Sequence, residues 1–144
     1  MKSTSGKKVL RASDILAGII PSTKLTSQCR DKHIVIRNVD LGGTGLIASI
    51  PFDRNVTVVQ AQVSEEAAVV SAANNPVITL YNNDLATSVG TINIDKAAAQ
   101  FAVTTIGAIT NANIAAGHVL NASVTTKADT SGKCTLKIVV HEND

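Results

Sequence analysis

From residue 33 onward the chain contains short apolar or β-branched runs separated by turns rich in Gly, Asp and Asn. Such runs predict β-strands. In the third run, alternation places Val59, Ala61 and Val63 on one face and Gln60 and Gln62 on the other. The first three runs are residues 33–39 (HIVIRNV), 46–52 (LIASIPF) and 56–63 (VTVVQAQV).

Alternation is clearest in the last third of the chain, in residues 118–126 (HVLNASVTT) and 133–140 (KCTLKIVV). Both segments predict strands with one buried face. Between them and the first runs, three further strands are predicted over residues 77–82, 89–94 and 101–106. The residues expected to face the core are Leu120, Ala122 and Val124 in the first segment and Cys134, Leu136, Ile138 and Val140 in the second.

Two segments between the predicted strands are less regular. Residues 64–76 (SEEAAVVSAANNP) fit either a short helix that begins at the acidic pair or a loop across one end of a sandwich. Residues 42–45 (GGTG) are expected to form a plain turn, because they match neither a dinucleotide-binding nor a P-loop motif.

Seven or eight short strands with a turn about every ten residues favour an all-β fold, an antiparallel β-sandwich of jelly-roll type. We expect this domain to cover residues 33–144. Residues 1–32 are expected to form an N-terminal arm that is extended or briefly helical. In the helical alternative, Ser13 or Asp14 caps a turn that stops at Pro21.

The composition argues against functions that depend on aromatic side chains. Charged residues make up 17% of the chain, below the usual quarter, and aromatic residues only 2%. Single-stranded nucleic acids are bound largely by stacking on aromatic rings, and sugar-binding and receptor-binding faces also depend on them. We therefore expect no nucleic-acid partner.

The charge is distributed unevenly. Residues 1–40 carry eight Lys and Arg and three Asp, a net charge of +5, whereas residues 41–144 carry a net charge of −3. The arm has too few large aliphatic side chains to fold alone, so it should order only against the body, a sister subunit or another protein. The candidate partner-binding residues are Lys7, Lys8, Leu10, Arg11, Ile15, Leu16, Ile19, Ile20, Lys24 and Arg30.

The chain has no apolar run of the length needed to span a membrane, so no membrane partner is expected. The basic N-terminus is not followed by a long enough apolar stretch for a signal peptide, which predicts synthesis in a cytosol. In that compartment Cys29 and Cys134 are both expected to be free thiols.

Residues capable of catalysis do not form a recognisable pattern. His33, His118 and His141 lie far apart in sequence and in no metal-binding motif, and no nucleophile motif is present. Glu65 and Glu66 are read as a solvated or helix-start pair. We therefore expect neither an enzyme nor a cofactor or metal site.

Two stretches resemble a known family. Residues 50–53 (IPFD) lead into VTVVQAQV, and an AAGHVLNASVTT strand is followed by a Gly-containing loop and a final SGKCTLKIVV strand. Over about residues 33–141 this resembles the small jelly-roll capsid decoration (cement) proteins of tailed bacteriophages.

The resemblance implies a homotrimer on the outside of the virion that binds the major capsid protein and clamps neighbouring subunits. It would be made in the host cytoplasm. Alternatives on the same fold are a head-fibre, tail or baseplate component and a carbohydrate- or receptor-binding module.

Overall fold

The computed structural model describes residues 30–143, and every regular element in that range is a β-strand. Nine strands form two antiparallel sheets, which confirms the expected all-β sandwich. The five-stranded sheet contains β1 (Asp31–Asp40), β3 (Val56–Val70), β6 (Val103–Thr105), β7 (Asn113–Ile114) and β9 (Ser131–Glu142). The four-stranded sheet contains β2 (Gly45–Pro51), β4 (Val77–Asn82), β5 (Ser88–Asn93) and β8 (Val119–Thr126).

The strand order is that of a jelly roll. It runs β1-β9-β3-β6 in one sheet, with the short β7 also on β3, and β2-β8-β4-β5 in the other. The strands pair in order outward from the turn between β4 and β5, as in one long hairpin folded into two layers. These pairs are β4–β5, β3–β6, β2–β8 and β1–β9. The chain therefore crosses between sheets at almost every connection.

The core between the two sheets is almost purely aliphatic. Fully buried side chains such as Leu80 and Ile92 of one sheet pack with Leu136 and Ile138 of the other. No aromatic side chain among the described residues is fully buried, and Phe101 is 74% exposed. β-branched and leucine side chains fill the narrow space between sheets without polar atoms that need a partner.

Most predicted strands are present close to their predicted bounds. The inward residues expected in β8 and β9 are all buried, including Leu120 and Cys134. Asn121, which should face outward, is also buried because the turn after β4 covers it, and its Nδ2 donates to the Asp84 carbonyl oxygen at 3.4 Å.

Residues 64–76 were expected to be a helix or a loop, and this prediction is wrong for the first half. β3 continues to Val70 as a strand of 15 residues, held by β9. Register shifts after Val58, Glu65 and Ala67 interrupt the alternation, so the strand pattern is hidden in the sequence. The first shift also turns Val59 outward, where it is 47% exposed, instead of toward the core.

Two smaller differences concern the segment after β5. The strand predicted over residues 101–106 is limited to Val103–Thr105, and β7 was not predicted. The predicted arm lies outside the described residues, apart from Arg30 and the start of β1 at Asp31. Within residues 30–143 no helix is long and apolar enough to cross a membrane.

Candidate functional site

The three histidines lie in different parts of the sandwich. His33 is in β1, His118 directly precedes β8, and His141 is near the end of β9, where its Nδ1 lies 2.8 Å from Asp31 Oδ1. Within residues 30–143 no three or more His, Cys, Asp and Glu side chains form a group that could hold a metal ion. The side chains therefore do not converge on one chemical centre in the described part of the chain.

Glu65 and Glu66 lie on opposite faces of β3, so the expectation of a solvated pair is wrong for Glu65. The Glu65 carboxyl group is fully buried between the sheets, and neither of its oxygens has a hydrogen-bond partner. Burial raises its pKa from 4.5 to about 7 because the charged form loses its hydration. The alternation that places Ala61 and Val63 in the core continues to Glu65, so the sequence pattern would have predicted this position if the strand had been extended beyond Val63.

Cys134 of β9 lies opposite Glu65 in the ladder and is fully buried. Burial, together with the charges of Glu65 and Glu66, raises the pKa of the thiol to about 12. A thiol of this kind is unreactive, because the thiolate is the nucleophile. Cys29 lies outside the described residues.

Glu66 faces outward and organises the outer surface of the five-stranded sheet. Its Oε1 accepts a hydrogen bond from Thr135 Oγ1 and another, of 3.2 Å, from the backbone N–H of Asn38. These bonds, the Thr135 bond foremost, and nearby Arg37 and Lys133 lower the pKa of Glu66. The carboxylate thus ties the three strands β1, β9 and β3 together on the surface.

The sandwich is closed along one side. The segment after β6 runs from the edge of the five-stranded sheet to the edge of the four-stranded sheet and bonds to both. The N–H of Ile106 donates to Ala61 O at 2.8 Å, and the N–H groups of Gly107 and Thr110 donate to Thr91 O at 3.0 Å and Val89 O at 2.7 Å. On the opposite side, within residues 30–143, the short turn between β1 and β2 (residues 41–44) crosses between the sheets at one end.

That opposite side contains a groove. β1 and β2 are the edge strands of the two sheets there, and they form no ladder with each other. Between them lies an open groove of about 360 Å³. Its walls come from the end of β1, the glycine-containing turn and the start of β2, and include Ile36, Arg37, Asp40, Leu46, Ile47 and Val124. The groove is therefore an open, partly apolar surface between the two edge strands.

The strands of the four-stranded sheet carry no charge, and the charged Asp84 lies in the turn that covers Asn121 of β8. None of the residues in β2, β4, β5 and β8 is Asp, Glu, Lys, Arg or His. Its outer face presents hydroxyl and amide groups, several of which already have partners within the sheet: Thr79 Oγ1 and Thr125 Oγ1 lie 2.9 Å apart. Sequence reasoning missed this surface, because strands of both sheets alternate along the chain.

Nine of the ten arm residues expected to bind a partner lie outside the described residues. The tenth, Arg30, directly precedes β1, where its carbonyl oxygen accepts a hydrogen bond of 3.1 Å from the Glu142 N–H. The arm therefore joins the body beside the end of β9, at the opposite end of β1 from the groove.

No protein-family model and no curated protein matches the chain. One solved structure with a similar arrangement concerns Bacillus endospore appendages, described as a novel family of disulfide-linked pili. It has 13% identity and a TM-score of 0.36, covering 78% of this chain and 88% of that chain. Another is the cyanophage Pam1 capsid asymmetric unit, with 13% identity and a TM-score of 0.39, covering 78% of this chain and 82% of that chain. At these scores neither carries an argument about function.

Proposed function

We propose that this chain is a structural virion protein that binds the outer surface of a tailed-phage head and clamps neighbouring capsid subunits. The observation that carries the proposal is the uncharged outer face of the four-stranded sheet. Its partner is the major capsid protein, and its proposed assembly state is a homotrimer.

An uncharged sheet face is suited to permanent contact with protein. The buried centres of protein interfaces are depleted of charged residues, because an unpaired charge loses its hydration there. Hydroxyl groups that already bond within the face, such as those of Thr79 and Thr125, need no new partner when water is excluded. A protein partner can therefore cover this face with little cost in desolvation free energy.

The fold and the sequence pattern agree with a role in a shell. Jelly rolls occur in viral capsid proteins, although the same fold also serves lectins and cupins. The resemblance to decoration proteins rests on the β2–β3 segment and on the two closing strands β8 and β9, which here form the central parts of both sheets. These points agree with a virion protein, and the scarcity of aromatic rings argues against a sugar-binding module.

The proposal is tested by co-sedimentation with expanded empty heads of the phage that encodes the chain. The test variant is Thr91→Lys, at an exposed position of β5 on the uncharged face, and the matched control is Gln60→Lys, at an exposed position of β3. We expect wild type and Gln60→Lys to bind alike, and Thr91→Lys to bind more than about tenfold more weakly. Urea unfolding of both variants checks that each remains folded.

Three outcomes contradict the proposal. Wild-type protein that stays in the supernatant indicates another location, such as the tail or baseplate. Equal losses in the two variants indicate that the uncharged face is not the contact. Binding that falls steeply with salt transfers the contact to the basic arm, because exposed charges are screened within about 10 Å at 0.1 M salt.

A further inference from the structure

We propose that residues 10–20 of the chain dock in the groove beside β1 of the same molecule, as an additional antiparallel strand that closes the open side of the sandwich. The occupant is thus the chain's own N-terminal segment, LRASDILAGII. The inference is independent of the proposed function, because it concerns how one molecule completes its own fold.

Several apolar side chains at and beside the groove are only partly buried. Ile34, Ile36 and Ile47 pack against the core cluster yet are only partly buried. Beside them, Val35 is 52% and Leu46 is 57% exposed. On the opposite side of the sandwich the equivalent edge is covered by the segment after β6. A strand that covers these side chains removes their remaining apolar area from water, which stabilises the fold in proportion to that area.

The backbone at the groove leaves room for another strand. The β1–β9 register shifts between Ile36 and Val39, and the β2–β8 register shifts between Leu46 and Ala48. Asn38, within the first irregularity, and Gly45, just before the second, adopt positive φ angles of 56° and 141°. Bulges of this kind bend an edge strand away from its neighbours. The two edges part at the groove, and β1 presents an unpaired edge there.

The free edge and the N-terminal segment have complementary charges. An antiparallel register that sets Ile20 beside Asp31 brings Asp14 to Arg37, next to the register shift of β1 that follows Ile36. Opposite charges directly across an antiparallel pair stabilise it. Within residues 30–143 Arg37 forms no ion pair, although it lies near enough to Glu66 to lower the pKa of that carboxyl group.

The same register matches the apolar residues. It sets Ile15 beside Ile36 and Leu16 beside the exposed Val35. Directly opposed residues point to the same face of a sheet. Ile15 therefore extends the core, and Leu16 covers Val35 on the outside.

The short loop between the docking segment and β1 favours docking within one molecule over docking between two copies. Residues 21–30 (PSTKLTSQCR) remain as a ten-residue loop, polar and headed by Pro21, which has no N–H to offer a ladder. A segment tethered by a short flexible loop has an effective concentration of about millimolar. Lys7 and Lys8 then lie beyond the end of β1, free to contact a partner.

The test is amide hydrogen exchange of the full-length protein, followed for residues 10–20 and for β1. Ile15→Asp is the test variant and Thr4→Asp the matched control, which adds the same charge outside the docking segment. We expect protection of residues 10–20 and of the β1 edge in wild type and Thr4→Asp. In Ile15→Asp we expect it to fall by more than about tenfold, because a carboxylate replaces a buried isobutyl-sized group.

A charge exchange tests the register. Asp14→Arg should lower the protection about 2- to 5-fold, as should Arg37→Asp, and the double variant should regain most of the loss. Recovery in the double variant distinguishes a direct pair from two unrelated effects, including the loss of Arg37 near Glu66.

The inference is overturned if residues 10–20 exchange as fast as a free peptide in the full-length protein, or if the double charge variant is no better protected than the single variants. It is also overturned if protection appears only in dimers or larger species as the concentration is raised, with light scattering as the measurement. That outcome assigns the groove to the arm of a second copy.

Discussion

The two sheets share one core but have contrasting strands. β1, β3 and β9 of the five-stranded sheet contain all the charged residues found in strands, whereas the four-stranded sheet contains none. On the charged sheet, Glu66 binds across strands and Lys32 pairs with Glu142. On the uncharged sheet, hydroxyl and amide groups bond to each other or to turns.

Under the proposed function, this contrast separates a face exposed to solvent from a face that contacts a partner. A charged face gains from hydration and resists burial, while a face of Ser, Thr and Asn loses little when water leaves. The charged sheet also contains the one buried carboxyl group among the described residues, Glu65. Each difference between the sheets can be tested by substitution.

The largest loss of stability is expected from substitutions in the shared core, where the two sheets should respond alike. Leu136→Ala in the charged sheet and Leu80→Ala in the uncharged sheet should each lower the free energy of unfolding by about 3–4 kcal/mol, because both side chains are fully buried in the same core. Urea unfolding measures both losses. A loss confined to one sheet would show that the sheets do not form one cooperative unit.

Glu65 should make the charged sheet sensitive to pH. Its folded pKa of about 7 lies above the ordinary value of 4.5, so its protonated form is favoured by folding. Its contribution to stability is complete below pH 4.5 and declines as pH rises to about 7, a loss of about 3 kcal/mol.

Glu65→Gln does not titrate, so the difference in unfolding free energy between this variant and wild type should grow over that pH range. Glu66→Gln is the control, because the pKa of Glu66 is lowered and its titration falls at more acidic pH. A constant difference between pH 4 and 8 for Glu65→Gln would contradict the buried, unpaired position.

A smaller effect is expected where the two sheets are joined. A Cβ atom on Gly90 of β5 would lie 2.8 Å from Ile106 Cδ1 and 2.9 Å from the Ala108 carbonyl oxygen. Gly90→Ala should therefore cost about 1–3 kcal/mol and increase hydrogen exchange over residues 106–110. Gly107→Ala is the matched control, since the nearest atom lies 3.8 Å from its added Cβ.

The smallest effects should distinguish the outer faces. Lys32→Ala removes the exposed pair with Glu142 and should cost no more than about 1 kcal/mol, a loss that disappears in high salt. Thr125→Val removes the hydroxyl bond to Thr79 and should cost about 1 kcal/mol at any salt concentration. Chemical unfolding with and without 1 M NaCl, about a threefold shorter screening length than at 0.1 M, separates the two.

Local pattern predicted the strands where alternation is regular. In β9, Cys134, Leu136 and Ile138 face the core as expected, because each residue in an unbroken strand turns the side chain to the opposite face. In β3 the same rule failed at Val59, which lies in the first register shift, whereas alternation from Ala61 and Val63 leads correctly to the buried Glu65, which precedes the second shift. Bulges depend on the partner strand, which the local sequence does not describe.

The candidate surfaces were less predictable than the strands. The unequal charge and the apolar N-terminal segment are visible in the sequence, and so is the scarcity of aromatic rings. The groove depends on β1 and β2 being edge strands on the same side, a consequence of the strand order alone. The uncharged face likewise exists only because four strands distant in sequence pair with one another.

The sequence by itself thus determined the all-β class, the positions of most strands and the aliphatic nature of the core, because these follow from local alternation and residue type. The tertiary structure decided which strands pair, which face is free of charge, where a carboxyl group is buried and which side of the sandwich is open. Those features arise from contacts between residues far apart in the chain, such as Glu65 with Cys134 and β2 with β8, and pairing between distant strands is not encoded in any one segment.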